Sequence, residues 1–218
     1  NPGSNVKLIG VTGTNGKTTT TYLIKSILER AGHMVGLIGT ITNMIGDKKI
    51  PAEHTTPESL DLQKLFRDMV DMGVTSIVME VSSHSLALER VAGCEYDIGV
   101  FTNLTQDHLD FHKTIEEYRQ AKAKLFKQSK ISIINVDDEN GQWIKDGTDG
   151  ELYTYGIRKD ADIYARDLEI GEKGVSFELY TPKGHHPVSL GIPGIFTVYN
   201  ALAAAGACYA LNIPLPVI

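Results

Sequence analysis

The stretch GVTGTNGKTTTT, residues 10–21, sets two glycines, a lysine and a run of threonines directly after the apolar run VKLIG. Gly13 and Gly16 permit a tight backbone turn that aims successive N–H groups, Thr14 and Asn15 included, at the positive end of a following helix. Lys17 adds a full charge there and Thr18 a hydroxyl suited to magnesium, so the chemistry indicated is phosphate binding. A strict Walker pattern has a glycine five residues before the Gly16-Lys17 pair, where this chain has Val11. A loop one residue tighter, with Gly10 or Gly13 supplying flexibility where it begins, accounts for the mismatch and marks a P-loop variant. A glycine turn capped by threonine is the alternative.

Magnesium needs more than one threonine. TSIVMEVSSH runs apolar through Met79 and delivers Glu80 at the C-terminal end of a strand, where open parallel sheets bind their ligands. A carboxylate there suits a hard cation; an exposed strand-end acid is the other reading. His108 and His112 in DHLDFH are spaced i, i+4, which on a helix puts both on one face as zinc ligands. No cysteine or intervening glutamate completes a zincin pattern, however. A functional His108 and a solvated His112 are expected. In YRQAKAKLF, Lys122 and Lys124 are two apart on a predicted helix and cannot face one site; periodicity leaves both as surface lysines.

These residues need a scaffold that brings them together. From Val6 to about Lys130, short apolar runs (VKLIGV, MVGLIG, TSIVMEV, YDIGVFTN, ISIINV) alternate with helical patterns (TYLIKSILERAG, LQKLFRDMVDMG, EEYRQAKAKLF). That alternation predicts an α/β fold, a mostly parallel sheet of P-loop type with helices on both faces. Leu23, Ile24, Ile27, Leu28 and Ala31 form one apolar helical face, and Gly32 is placed to end the helix. IGV, SIVM and IGVF are continuously apolar, as strands buried on both faces are. The organisation expected is a parallel core over residues 6–150, a small antiparallel β subsheet over 151–192 (ELYTY, ADIYARDLEI, GVSFELYT, HPVSLGI) and a final helix within 193–218.

With 42% hydrophobic and 22% charged residues among 218, the chain has the composition of a globular domain. The net charge of −6 leaves no electrostatic footprint for nucleic acid or an anionic membrane, so an anionic ligand needs a local site. Cys94 and Cys208 lack metal or CxxC spacing and read as reduced structural thiols of a cytoplasmic protein. Neither a membrane-spanning run nor a signal peptide is visible. A monomer is expected, and the missing initial methionine suggests a piece of a longer chain.

Taken together, GTNGKTTT, HTTPES, MEVSSHSL, FTNLTQDHLDFH and YRQAKAKLF, in this order and at these intervals, resemble the central domain of the Mur ligase family over essentially the whole of residues 1–218. GTNGKT alone is shared with folylpolyglutamate and cyanophycin synthetases. TTPES and EVSSHSL resemble the branch that extends UDP-MurNAc-L-Ala-D-Glu with a diamino acid.

The resemblance implies that Lys17 and the loop from Gly13 through Thr14, Asn15, Gly16 and Thr18 to Thr19 hold the phosphates of ATP, with Thr18 on one of two magnesium ions. Glu80 and His108 are implied ligands of the second. Lys122 is implied to join them as a carbamate, which turns a repelling ammonium into an anionic oxygen donor. Lys124 falls outside that register. Thr55, Thr56, Ser82 and Arg90 match positions that hold the muramyl dipeptide, Arg90 through its acidic groups. The two threonines would equally cap the helix after Pro57, and Arg90 would equally serve a surface ion pair.

Two positions depart from the family: Leu88 stands where some relatives are polar, and FTVYN has Thr197 in place of the first of two adenine-side amides, Asn200 being the second.

The implied reaction is ATP-dependent amide bond formation. A carboxylate of the dipeptide is phosphorylated, then the amine of meso-diaminopimelate or L-lysine attacks the acyl phosphate, with catalysis mostly by charge neutralisation and positioning. Family members carry a uridine-binding domain before this region and an amino-acid-binding domain after it, and residues 1–218 are expected to hold neither. The piece alone is therefore expected to bind nucleotide weakly and form no peptide bond. Another P-loop kinase, another amide ligase of the folylpolyglutamate type and a non-catalytic nucleotide-binding module remain alternatives.

Overall fold

The computed structural model describes residues 6–105, 112–158 and 160–218. Within them, eleven strands form one sheet. In chain order the elements are β1 (Lys7–Thr12), α1 (Lys17–Arg30), β2 (Val35–Ile38), β3 (Asn43–Ile45), β4 (Lys48–Ile50), α2 (Ser59–Asp71), β5 (Ser76–Glu80), α3 (Ser83–Ala87) and β6 (Tyr96–Phe101). There follow α4 (Ile115–Lys127), β7 (Ser129–Asn135), α5 (Glu139–Asp146), β8 (Glu151–Gly156), β9 (Ile163–Gly171), β10 (Gly174–Thr181), β11 (Gly184–Leu190) and α6 (Ile195–Ala210).

The strand order is β11-β10-β9-β8-β7-β6-β1-β5-β2-β3-β4. β1 lies between β5 and β6 and pairs parallel with both, Ile9 standing opposite Val78 on one side and Ile98 on the other. From β1 the chain crosses through α1 to β2 on the β5 side, and from β5 through α3 to β6 on the opposite side. That reversal opens a crevice at the C-terminal ends of β1, β5 and β6, the place where such sheets bind ligands.

Apolar strands covered on both faces explain the continuous hydrophobic runs. Ile9, Val11, Val78 and Val100 pack with Ile24 and Leu28 of α1 and the alanine-rich α6. Leu8, Met79 and Tyr96 pack on the other face with Leu62 and Phe66 of α2 and Tyr118 and Leu125 of α4. Gly10 belongs to this packing and not to the loop: a Cβ there would stand 2.7 Å from the Tyr96 ring. Loop flexibility therefore falls to Gly13 and Gly16, at φ 153° and 87°.

The antiparallel portion begins one strand later than expected. β8, built by ELYTYG, pairs parallel with β7 and with β9; at this end the antiparallel pairing is that of β10 with β9 and with β11. A second antiparallel edge, β2-β3-β4, lies at the opposite end of the sheet. Its short strands, residues 43–50, give too little alternation to be read from sequence.

Cys94 and Cys208 are buried free thiols. Burial pushes the Cys94 thiol up to about 11 and Cys208 higher still, which keeps both protonated and unreactive. No helix among the described residues is long and apolar enough to cross a membrane.

Candidate functional site

The loop between β1 and α1 is held from the neighbouring strand. Thr14 N donates to Asn103 O (2.9 Å), Asn15 N to Asn103 Oδ1 (2.9 Å), and Thr102 Oγ1 to Asn15 O (2.6 Å). Thr14 Oγ1 also lies 3.1 Å from Tyr118 Oη. Gly13 is needed because a Cβ would sit 1.9 Å from Thr102 Oγ1. Gly16 is needed because one would sit 2.3 Å from Asn200 Oδ1. α1 then starts from a left-handed Gly16 with no side-chain cap and no acidic residue in its first turn, which leaves the positive helix end for an anion. Lys17 Nζ folds over the loop and donates to the carbonyls of Gly13 (2.8 Å) and Thr14 (2.9 Å).

Glu80 ends β5 beside this loop and is 1% exposed, so it is not an exposed strand-end acid. Three donors meet its carboxylate: Thr18 Oγ1 at 2.9 Å and Thr40 N at 3.0 Å on Oε1, and Thr40 Oγ1 at 3.0 Å on Oε2. An anionic oxygen pair beside a threonine hydroxyl is a hard-cation donor set. His108 lies outside the described residues. Among the described residues, no three His, Cys, Asp or Glu side chains gather as a metal centre.

Thr55, Thr56, Ser82 and Arg90 fall on one cleft of about 450 Å3, lined also by residues 14–19 of the loop and α1, Thr40, His54, Glu80 and His84. Thr56 is buried and its hydroxyl is committed: it donates to Glu80 O (2.9 Å) and accepts from Ser82 N (3.1 Å). Ser82 Oγ caps α3 by accepting from Ser85 N (3.1 Å). Neither Thr55 nor Thr56 caps α2, whose N-cap is Glu58. Arg90 Nη2 meets Glu58 Oε1 at 2.7 Å, while its buried Nε–H finds no partner among the described residues. Arg90 is thus an ion-pair residue that also faces the cleft.

A second cleft of about 310 Å3 lies across the loop, sharing Asn15 and Gly16 with the first and lined further by Asp137, Phe196, Tyr199 and Asn200. Phe196 is 74% exposed, and Tyr199 Oη donates to Asp137 Oδ2 (2.9 Å). Burial, then the Asp137 carboxylate, push the Tyr199 phenol up to about 12. Thr197 turns away, its hydroxyl bonded to Pro193 O (3.1 Å).

Two expectations are corrected here. His112 is buried, not solvated, with its ring 5.0 Å from that of Tyr118, just before the Thr114 cap of α4. Lys122 is 1% exposed, with Nζ 4.4 Å from the centre of the Tyr118 ring, and is not a surface lysine. Lys124 is the solvated one, 44% exposed and 4.0 Å from Glu89.

Residues 11–208 match the Mur ligase middle domain. The chain belongs to that family. The UDP-N-acetylmuramoyl-L-alanyl-D-glutamate--2,6-diaminopimelate ligase of Caldanaerobacter subterraneus subsp. tengcongensis is 54% identical over 216 residues, which are 99% of this chain and 45% of that protein. The Clostridium botulinum protein of the same name is 52% identical over 218 residues, 100% of this chain and 45% of its own. The chain thus spans less than half the length of the curated relatives it matches.

A solved UDP-N-acetylmuramoyl-L-alanyl-D-glutamate--2,6-diaminopimelate ligase structure superposes with a TM-score of 0.92 at 34% identity, covering 98% of this chain and 45% of that one. MurF ligase from Thermotoga maritima in complex with ADP superposes at 0.75 with 21% identity, covering 96% and 46%, a likeness of fold.

In this Mur ligase middle domain, several residues at the site carry no signal within the nucleotide-loop motif itself. Thr40, Asn103 and Tyr118 reach the loop or Glu80 from β2, β6 and α4, far away in sequence. Thr40 follows the run MVGLIG directly, so its place at a strand's C-terminal end was the available clue.

Proposed function

We propose that this chain is the ATP-binding portion of a ligase that extends UDP-MurNAc-L-Ala-D-Glu with a diamino acid, by way of an acyl phosphate. The observation that carries the reading is the shared cleft: the phosphate-type loop with Lys17 and the positive end of α1 open onto the same space as Arg90, Thr55 and Ser82. A phosphate donor and a carboxylate acceptor would meet there. The near relatives' names give the dipeptide and 2,6-diaminopimelate as their substrates, and on that ground diaminopimelate is favoured over lysine.

In this reading, the backbone N–H groups of residues 14–18 and Lys17 hold the ATP phosphates, Lys17 leaving the carbonyls of Gly13 and Thr14 to do so. Asn200, Phe196 and Tyr199 bind the base in the second cleft. Arg90, whose side chain lines the first cleft, holds an acidic group of the dipeptide. Glu80 and Thr18, with His108 and a carbamylated Lys122, would hold magnesium, which supplies charge neutralisation at the phosphates when bound. The γ-carboxylate of D-glutamate attacks the terminal phosphorus, ADP leaves, and the amine then displaces phosphate from the acyl carbon. Two anions must approach in the first step, so fixed positive charge from Lys17, Arg90 and the helix end accounts for most of what the chain contributes.

Calorimetric titration tests the reading. ATP with magnesium should bind saturably, and Lys17→Ala should weaken it by at least about 100-fold, the loss of a charge-assisted contact of about 3 kcal/mol. The UDP-linked muramyl dipeptide should bind the ATP-loaded protein, and a folate should not. Equal binding of folate, or a Lys17→Ala variant with unchanged affinity, overturns it.

A further inference from the structure

We propose that Thr40 is a positioning residue that fixes the Glu80 carboxylate for cation binding, a role that rests on reading Glu80 as a cation ligand. Thr40 follows β2, which pairs with β5 so that Ile38 stands opposite Met79. Sheet register therefore brings Thr40 beside Glu80. It offers two donors, one to each carboxylate oxygen: its backbone N–H to Oε1 and its hydroxyl to Oε2, each at 3.0 Å. A carboxylate gripped at both oxygens by one residue has lost rotation about its last bond. Gly39 completes the grip, because a Cβ there would stand 2.5 Å from Oε1 and push the group out of this place.

The proton on Thr40 is committed. An ionised carboxylate only accepts, so the hydroxyl hydrogen lies toward Glu80 Oε2. Thr40 Oγ1 is also 3.1 Å from Thr55 Oγ1, and with its own hydrogen spent, Thr40 must accept there. The order is Thr55 to Thr40 to Glu80, and the donation from Thr55 holds the Thr40 hydroxyl in the rotamer that faces the carboxylate. Thr18 differs: it lies in the first turn of α1 and is itself a candidate ligand, so its bond to Glu80 is replaceable. Thr40 can stay bonded while Glu80 turns a remaining lone pair to a cation, as partners of metal-ligating carboxylates do.

The test is Mn2+ affinity, measured by electron paramagnetic resonance on the ATP-loaded protein, with ATP affinity in EDTA and the melting temperature measured alongside. Thr40→Val should weaken Mn2+ by about 10-fold or more, the usual effect of removing such a partner. ATP binding in EDTA should stay within about twofold, a difference of about 0.4 kcal/mol. Thr40→Ser, which keeps the hydroxyl, should restore Mn2+ binding. If Thr40→Val does not fold, Thr40→Ala against Thr40→Ser makes the same comparison. Mn2+ affinity unchanged in the hydroxyl-less variant, with Glu80→Gln losing it, overturns the role of Thr40 and leaves the cation reading standing. Unchanged affinity in Glu80→Gln overturns the cation reading itself.

Discussion

Thr18 Oγ1 donates to Glu80 Oε1 across 2.9 Å, joining the first turn of α1 to the end of β5 over 62 residues of sequence. The phosphate loop and the carboxylate are already in contact, so a cation between them displaces one hydrogen bond and needs no new approach of the backbone. Thr18→Val should therefore remove most of the magnesium-dependent part of ATP affinity, about 10-fold or more for a hydrogen bond to a charged group. Binding in EDTA should change little. Calorimetry with and without magnesium reads the difference, and an equal loss in both conditions would contradict it.

Gly13→Ala should damage stability and loop together. The added methyl meets Thr102 Oγ1 at 1.9 Å, and that hydroxyl holds Asn15 O at 2.6 Å. A cost of about 1–3 kcal/mol is expected for such overpacking, visible as a lower urea midpoint and weaker ATP binding. Thr102→Ala in the same chain should return part of the stability, since it removes the nearest atom of the clash.

Lys122 and Lys124 should separate under labelled bicarbonate. Lys122 is buried against Tyr118, where an ammonium loses hydration, and the family resemblance implies a carbamate at this residue. A carbamate NMR resonance is expected from the wild-type protein, absent in Lys122→Met and retained in Lys124→Met. Its persistence in Lys122→Met would place the modification elsewhere.

Asp97 gives the fold an acid dependence away from the cleft. Burial alone would raise its pKa, but the Leu8 N–H at 3.0 Å, Lys130 at 3.0 Å and Lys7 at 3.5 Å outweigh it and hold the carboxyl below its ordinary 3.8. A depressed carboxylate stabilises fully above the ordinary value and loses that contribution as pH falls through the lower folded one. The urea midpoint should drop on acidification toward about pH 3, and less steeply in Asp97→Asn, whose midpoint at neutral pH should already be lower. Parallel acid profiles for the two proteins would contradict this.

The loop, α1 and the buried central strands were legible because their signals are local: glycine spacing, a helical apolar face with Leu28 and Ile24 four apart, and unbroken apolar runs. Glu80 was legible as the last residue of such a run. What surrounds it was not, since Thr40 reaches it through the β2-β5 pairing and Thr56 spends its hydroxyl on the β5-α3 turn. Lys122 could be told from Lys124 only by the family register, because which face of α4 turns inward is a matter of packing. ELYTYG was misjudged for a related reason: an alternating sequence marks a strand without saying whether its neighbour runs parallel.

The two clefts share Asn15 and Gly16, and Gly16 is held in its left-handed conformation with Asn200 of α6 directly against it. A ligand long enough to occupy both must lie across that saddle, with its anionic part on one slope and its flat part on the other. Because the saddle rests on a side chain of the last helix, any tilt of that helix moves the ground under both ends of the ligand at once.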